Sequence, residues 1–186
     1  MPEILTFNDL RRFGQESLQE SRSVMKSRKA DGVNFSLLQN TVFVSYSSKD
    51  TEYVPAVITL LKNHGGNPYV DLGDERLPTT PSSETARLLK EAIVETRRLV
   101  VFVTTNSKDS KWVPWELGLA DGAKTPNDIA LLPAADSANE TTWTEQEYLG
   151  LYRRIVWGKL DGHSKQLWMV YNHFRNTAVT LREWLT

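Results

Sequence analysis

Arg98-Leu-Val-Val-Phe-Val-Thr104 is the stretch on which the fold turns. It holds no polar residue between its ends, so as a strand it must be covered on both faces. That is the habit of parallel sheets rather than of sheets with one wet face. Before it, Ser82 or Ser83 with Glu84 opens a helix whose Ala86, Leu89, Ala92 and Ile93 point inward. After it come a helix over Lys111 to Ala123 and a strand, Asp128-Ile-Ala-Leu-Leu132. Further upstream, Thr41-Val-Phe-Val-Ser-Tyr46 is a second buried strand. Asp50 or Thr51 can cap the helix that follows, in which Val54, Val57, Ile58 and Leu61 form one face. Pro55 is tolerable in its first turn, and Gly65-Gly66 ends it. Asn67 to Asp71 is a short strand, and Leu72 to Pro81, with Gly73, Pro78 and Pro81, is a loop. Strand–helix units repeated at this spacing predict a parallel sheet with helices on both faces.

The two ends read differently. Phe7, Leu10, Phe13 and Leu18 lie at helical spacing, and Ser21 to Gly32 is a Ser-, Lys- and Arg-rich connector. Residues 1–39 are therefore expected to be an N-terminal helix and linker, packed on its own domain or docked on a partner, with the main domain over 40–186. Near the C-terminus, Glu145 to Tyr152 reads as a short helix. Arg154 to Trp157 and Gln166 to Tyr171 read as strands joined through Asp161-Gly162. Thr177 to Leu185 fits strand or helix equally.

Composition narrows the function. The 186 residues are 40% hydrophobic and 24% charged, ordinary for one soluble domain with a short appendage. A net charge of −1 gives no positive field for nucleic acid or an anionic membrane. The absence of cysteine removes disulfides, thiolate metal sites and Cys nucleophiles. Met1 to Leu10 has no apolar run of the secretory kind, and no stretch reaches the roughly 18 apolar residues of a membrane-spanning helix. A cytoplasmic protein is expected. There is no glycine-rich dinucleotide turn and no phosphate-loop motif, and His64, His163 and His173 are scattered, so no metal site is expected.

Ligands of open parallel sheets sit beyond the carboxyl ends of the strands. Four segments qualify: Ser45 to Asp50, Asp71 to Ser83, Thr104 to Trp112, and Leu132 onward. The most informative is Ser107-Lys-Asp-Ser-Lys-Trp-Val-Pro-Trp-Glu116. Pro114 suits a first turn, and Trp112 and Glu116, four apart, share a helix face that Val113, Leu117 and Ala120 leave free of the core. A carboxylate beside an indole can hold a ribose while a base stacks nearby. On spacing alone, a Glu there is an ordinary solvated residue favoured by the helix dipole. Ser45-Tyr-Ser-Ser-Lys-Asp50 leaves room for a ligand but resembles any polar turn. Asp71 to Pro81 is long for an α/β connection, which marks a functional loop or a plain surface one.

In this order the segments resemble the Toll/interleukin receptor (TIR) domain family. Val42-Phe-Val-Ser-Tyr-Ser-Ser-Lys-Asp50 is similar to its first box, Tyr69-Val-Asp71 with the long loop to its second strand and mobile loop, and Arg98 to Asn106 to its third strand. Ser107 to Glu116 resembles the helix carrying the Trp-x-x-x-Glu signature of the enzymatic members. The likeness covers about Asn40 to Leu132. It implies a flavodoxin-like fold and cleavage of NAD at the nicotinamide–ribose bond, with NAD as substrate and no resident cofactor. It implies that Glu116 is catalytic, that Trp112 shapes the pocket, that Ser45, Tyr46 and Ser47 border the nicotinamide side with Asp71 and Ser107 in the binding set, and that the loop from Asp71 gates it. Hydrolysis and cyclisation both remain open. The resemblance further implies TIR–TIR self-association and, in Thoeris-like antiphage defence, a separate effector that senses the nucleotide product. Two other functions compete: a non-catalytic TIR interaction module, and a small FMN binder, which the loop after the first strand suits poorly.

Overall fold

The computed structural model describes residues 2–12, 39–72, 80, 82–141 and 147–186. In chain order the elements are β1 (Leu5–Thr6), β2 (Thr41–Ser45), α1 (Val54–Asn63), β3 (Asn67–Tyr69), α2 (Ser83–Glu95), β4 (Arg98–Val103), α3 (Trp112–Ala123), β5 (Ile129–Ala135), β6 (Arg153–Lys159), β7 (Gln166–Asn172), β8 (Thr177–Thr180) and α4 (Leu181–Leu185). One sheet runs β3-β2-β4-β5-β6-β7-β8. Its first five strands are parallel and follow the doubly wound 2-1-3-4-5 order, so the chain reverses direction of travel between β2 and β4.

Alternation along the strands sorts the core into two layers. Val42, Val44, Val100, Phe102, Ala130 and Leu132 meet α1 and α4. Phe43, Leu99, Val101, Val103, Ile129 and Leu131 meet α2 and α3. The buried run at 98–103 is thus explained: each neighbour along β4 serves a different core.

The N-terminal segment adds a strand that hydrophobic spacing does not announce. Leu5 and Thr6 pair with Ala134 and Ala135 of β5, while Glu3 exchanges backbone bonds of 2.7 and 2.8 Å with Trp157. It fills the fork where β5 and β6, paired only at residues 130–131 and 153–154, have separated. A helical stretch follows from Phe7 to Arg12. Phe7 stacks on Tyr53 at 5.0 Å and Leu10 is buried, so this part packs on its own domain. Phe13, Leu18 and the connector lie outside the described residues.

At the other end, β6, β7 and β8 pair antiparallel, extending the parallel sheet. Asp161-Gly162 makes the β6–β7 turn, with Gly162 at a left-handed φ of 84° that a side chain would resist. The undecided segment 177–185 is both things in turn. Strand β8 stops at Thr180, whose hydroxyl and Glu183 form a capping box that starts α4. The helix expected over 145–152 is a 3-10 turn at Glu147–Leu151, with 145 and 146 outside the described residues.

Candidate active site

Thr41 to Ser45 is buried throughout, which delivers Ser45 to the carboxyl end of β2 with 1% exposure. Helix α3 starts at Trp112, with Ser110 Oγ accepting from the Val113 amide at 3.2 Å, and carries Glu116 just over one turn in. The two residues, 71 apart in sequence, meet at the switch between β2 and β4: Ser45 Oγ donates to Glu116 Oε2 at 2.5 Å. Glu116 is only 4% exposed. The carboxyl sits in the interior with a hydroxyl partner, and among the described residues it has no ion pair.

This corrects the reading by spacing in one respect. The Trp112–Glu116 face is covered: Trp112 is half-buried against the core of α2 and α3, edge-on to the half-exposed Trp115 at 5.5 Å. A helix period says which residues share a face, not what lies over it.

Burial pushes the Glu116 carboxyl up to about 8; the Ser45 hydrogen bond opposes the shift and the charge of Asp71 adds to it. The group is therefore largely protonated at neutral pH, a carboxylic acid held ready to ionise. Beside it, Tyr46 is raised well above the ordinary phenol range, first by burial and then by Asp71, to which its hydroxyl is hydrogen-bonded. Ser45, Tyr46, Asp71 and Glu116 thus form one electrostatically coupled group. The loop expected to gate it falls mostly on 73–79 and 81, outside the described residues.

Ser47 and Ser107 have different duties. Ser47 is buried and caps a 3-10 turn over Ser48–Tyr53, accepting from the Lys49 amide at 3.4 Å. Ser107, 2% exposed, accepts from the Thr104 amide at 3.0 Å and donates to the Phe102 carbonyl at 3.4 Å, locking the turn after β4.

One residue was misassigned by spacing. Asp50 does not cap α1, whose N-terminus at Tyr53 has no side-chain cap. It turns instead toward the loop after β4, accepting from Thr104 Oγ1 at 2.7 Å and Asn106 Nδ2 at 2.6 Å. Thr104 and Asn106 fall in the segment Thr104 to Trp112, but spacing gives neither a role of its own. The run Thr104-Thr-Asn-Ser107, four small polar residues directly after a sealed strand, was the available signal.

A family model described as TIR domain matches residues 42–167. Over 192 aligned residues the chain is 29% identical to a Bacillus cereus (strain MSX-D12) protein named probable 3' cyclic ADP-D-ribose synthase ThsB'. The alignment takes in 98% of this chain and 97% of that relative.

Proposed function

Since the chain belongs to the TIR domain family, we propose that it cleaves NAD at the nicotinamide–ribose bond, with Glu116 as the catalytic carboxylate. One observation carries this reading. A carboxyl 4% exposed, with a hydroxyl rather than a cation for partner, stands at the switch point where doubly wound sheets take their ligands. A buried acid without a counter-charge is poor economy for stability and suits a site that meets a cationic substrate.

The leaving group already bears its positive charge, so no general acid is needed. As the C1′–N bond breaks, nicotinamide takes the bonding electrons and the ribose becomes oxocarbenium-like. The Glu116 carboxylate accepts from the ribose hydroxyls and stabilises that charge. Its ionisation is helped by the cationic ring as it arrives. Ser45 orients the carboxylate, and Trp112 and Tyr46 bound the pocket.

The finer reaction is cyclisation. A hydroxyl of the same nucleotide attacks the ribose C1′ and passes its proton to the Glu116 carboxylate. The near-complete burial of Glu116 favours this over hydrolysis, because excluding solvent protects the cation from water. The name of the Bacillus cereus relative, a cyclic ADP-ribose synthase matched over almost its whole length, supports the same choice. Assembly of several TIR copies, a cytoplasmic setting and an effector that reads the product in antiphage defence complete the proposal.

Mass spectrometry of NAD incubated with concentrated protein tests it. Nicotinamide and a cyclic nucleotide should appear together, and Glu116→Ala should form neither. ADP-ribose, heavier than the cyclic product by one water, would replace cyclisation with hydrolysis. Equal background from both proteins would leave an assembly module.

A further inference from the structure

Asp50 is the other buried acid of this region, and the proposed chemistry has no use for it. Its side chain is fully enclosed, and both its donors, Thr104 Oγ1 at 2.7 Å and Asn106 Nδ2 at 2.6 Å, are neutral. Among the described residues no cation pairs with it. A buried carboxyl so placed is a costly way to hold two loops together, when apolar contacts would serve. Its geometry shows what the expense secures.

The donors belong to the turn that leads from β4 into α3. Thr104 Oγ1 also accepts from the Asn106 amide at 3.0 Å, and the Ser107 lock follows at once. Ser107 then accepts from the Ser110 amide at 3.2 Å through its carbonyl, and Ser110 caps the first turn of α3. That helix carries Glu116 back to Ser45, five residues upstream of Asp50 itself. The links close a ring: Ser45 along the chain to Asp50, across to Thr104 and Asn106, along the chain to Glu116, and across to Ser45. An ion pair on the surface, Lys49 with Asp109 at 2.9 Å, spans the same two loops, with both side chains more than half exposed.

We infer that Asp50 is a positioning residue of the active site, whose carboxylate holds the β4–α3 turn in register with β2 so that Glu116 meets Ser45 and the reacting ribose. This rests on the NAD-cleaving reading. A misplacement of about 1 Å in such a group costs on the order of 10²-fold in rate. The loss should fall on kcat, because substrate can still enter while the carboxylate misses the developing charge.

Exchange of the acid and the amide tests the clamp. In Asp50→Asn one of the two donors loses its acceptor, and in Asn106→Asp two carboxylates face each other. The double variant D50N/N106D restores an acid–amide pair with Thr104 still bonded and the net charge unchanged. Each single change should lower kcat for NAD about 10- to 100-fold with KM within about threefold, and the double should return to within about threefold of wild type. Hydrogen exchange should quicken at least about tenfold at residues 104–113 of Asp50→Asn and stay unchanged in α2. A folded Asp50→Asn protein with wild-type kcat and wild-type exchange overturns the inference, as does a folded double variant no better than the worse single. Should wild type and Glu116→Ala both leave NAD intact, the functional proposal falls, and hydrogen exchange alone decides the clamp.

Discussion

β4 and β7 are apolar strands of similar length in one sheet, yet their environments differ sharply. Every residue of β4 is buried, whereas β7 is sealed only at Met169 and Val170. The difference is topological. A parallel strand between crossovers has helices on both faces, while an antiparallel edge made of hairpins needs only one. In the sealed half any polar side chain must find a protein partner, because water is absent. That half keeps Ser45, Asp50, Thr104, Ser107 and Glu116, all buried and all bonded to one another or to nearby backbone. In the open half, aromatic pairs such as Trp157 and Trp168, 5.4 Å apart, are only half-buried, and no buried acid occurs among the described residues. Chemistry that depends on a perturbed carboxyl has one half to live in.

The largest expected effect comes from removing that carboxyl. Glu116→Gln keeps the shape and should lower kcat on the order of 10³-fold, measured as nicotinamide release. For wild type, kcat/KM should rise with pH to an inflection near 8, where the free carboxyl ionises, and kcat should inflect lower because the bound pyridinium favours the anion. Stability should move the other way. Between 4.5 and about 8 the folded state holds a proton that the unfolded state has released. Raising the pH through that window must therefore destabilise the fold, with the loss complete above about 8. Glu116→Gln does not titrate, so its unfolding free energy and Tm should match or fall below wild type at pH 5 and exceed it at pH 9, the free-energy gap being on the order of several kcal/mol. Parallel Tm curves across that range would contradict a buried, uncompensated acid.

Next in size is a test of the sealed packing itself. Phe102, 0% exposed and edge-on to Tyr53 at 6.4 Å, fills the layer under α1. Phe102→Ala should cost about 3–5 kcal/mol in urea unfolding, through lost burial and the cavity left behind. A loss below about 1 kcal/mol would mean that the parallel half is not close-packed.

A smaller effect sharpens the role of Ser45. Its hydroxyl favours the ionised form of Glu116, so Ser45→Ala should raise the carboxyl further. A hydrogen bond to a charged group contributes about 1.5–3 kcal/mol, so the kcat/KM inflection should climb by about one pH unit or somewhat more. Activity at pH 7 should drop about tenfold and recover above the new inflection. An unmoved inflection with uniformly lower activity would make Ser45 a substrate ligand only.

How much of this the sequence disclosed follows the same division. Residues 98–104 declare a buried strand because nothing polar interrupts them, and β2 and the helices around them follow from caps and spacing. Glu116 was legible as a position on a helix, through the resemblance of its surrounding motif. Its burial was not, because the covering groups come from β2 and the core rather than from its own helix. Spacing offers Asp50 or Thr51 as a cap because short polar residues before a helix commonly cap it, whereas the partners of Asp50 lie 54 and 56 residues away. A two-residue strand such as β1 has no period to detect. At Thr180 two propensities meet, and only the capping box with Glu183 divides strand from helix.

The smallest effect belongs to the open half. Phe174, in the turn after β7, is 68% exposed, and its ring meets His173 at 4.1 Å. The turn is held by Asn172 Oδ1, which accepts from the amides of Phe174 and Arg175 at 3.1 and 3.2 Å. The backbone geometry thus depends on Asn172 and not on the aromatic side chain. Phe174→Ser should change unfolding free energy by less than about 0.5 kcal/mol and leave NAD cleavage by the isolated protein unchanged. The same type of residue, lost from β4 and from this turn, should therefore differ roughly tenfold in its effect on stability. A destabilisation above about 1.5 kcal/mol at Phe174 would show that the ring is buried in solution, by another copy or by a neighbouring segment, and would close the contrast between the halves.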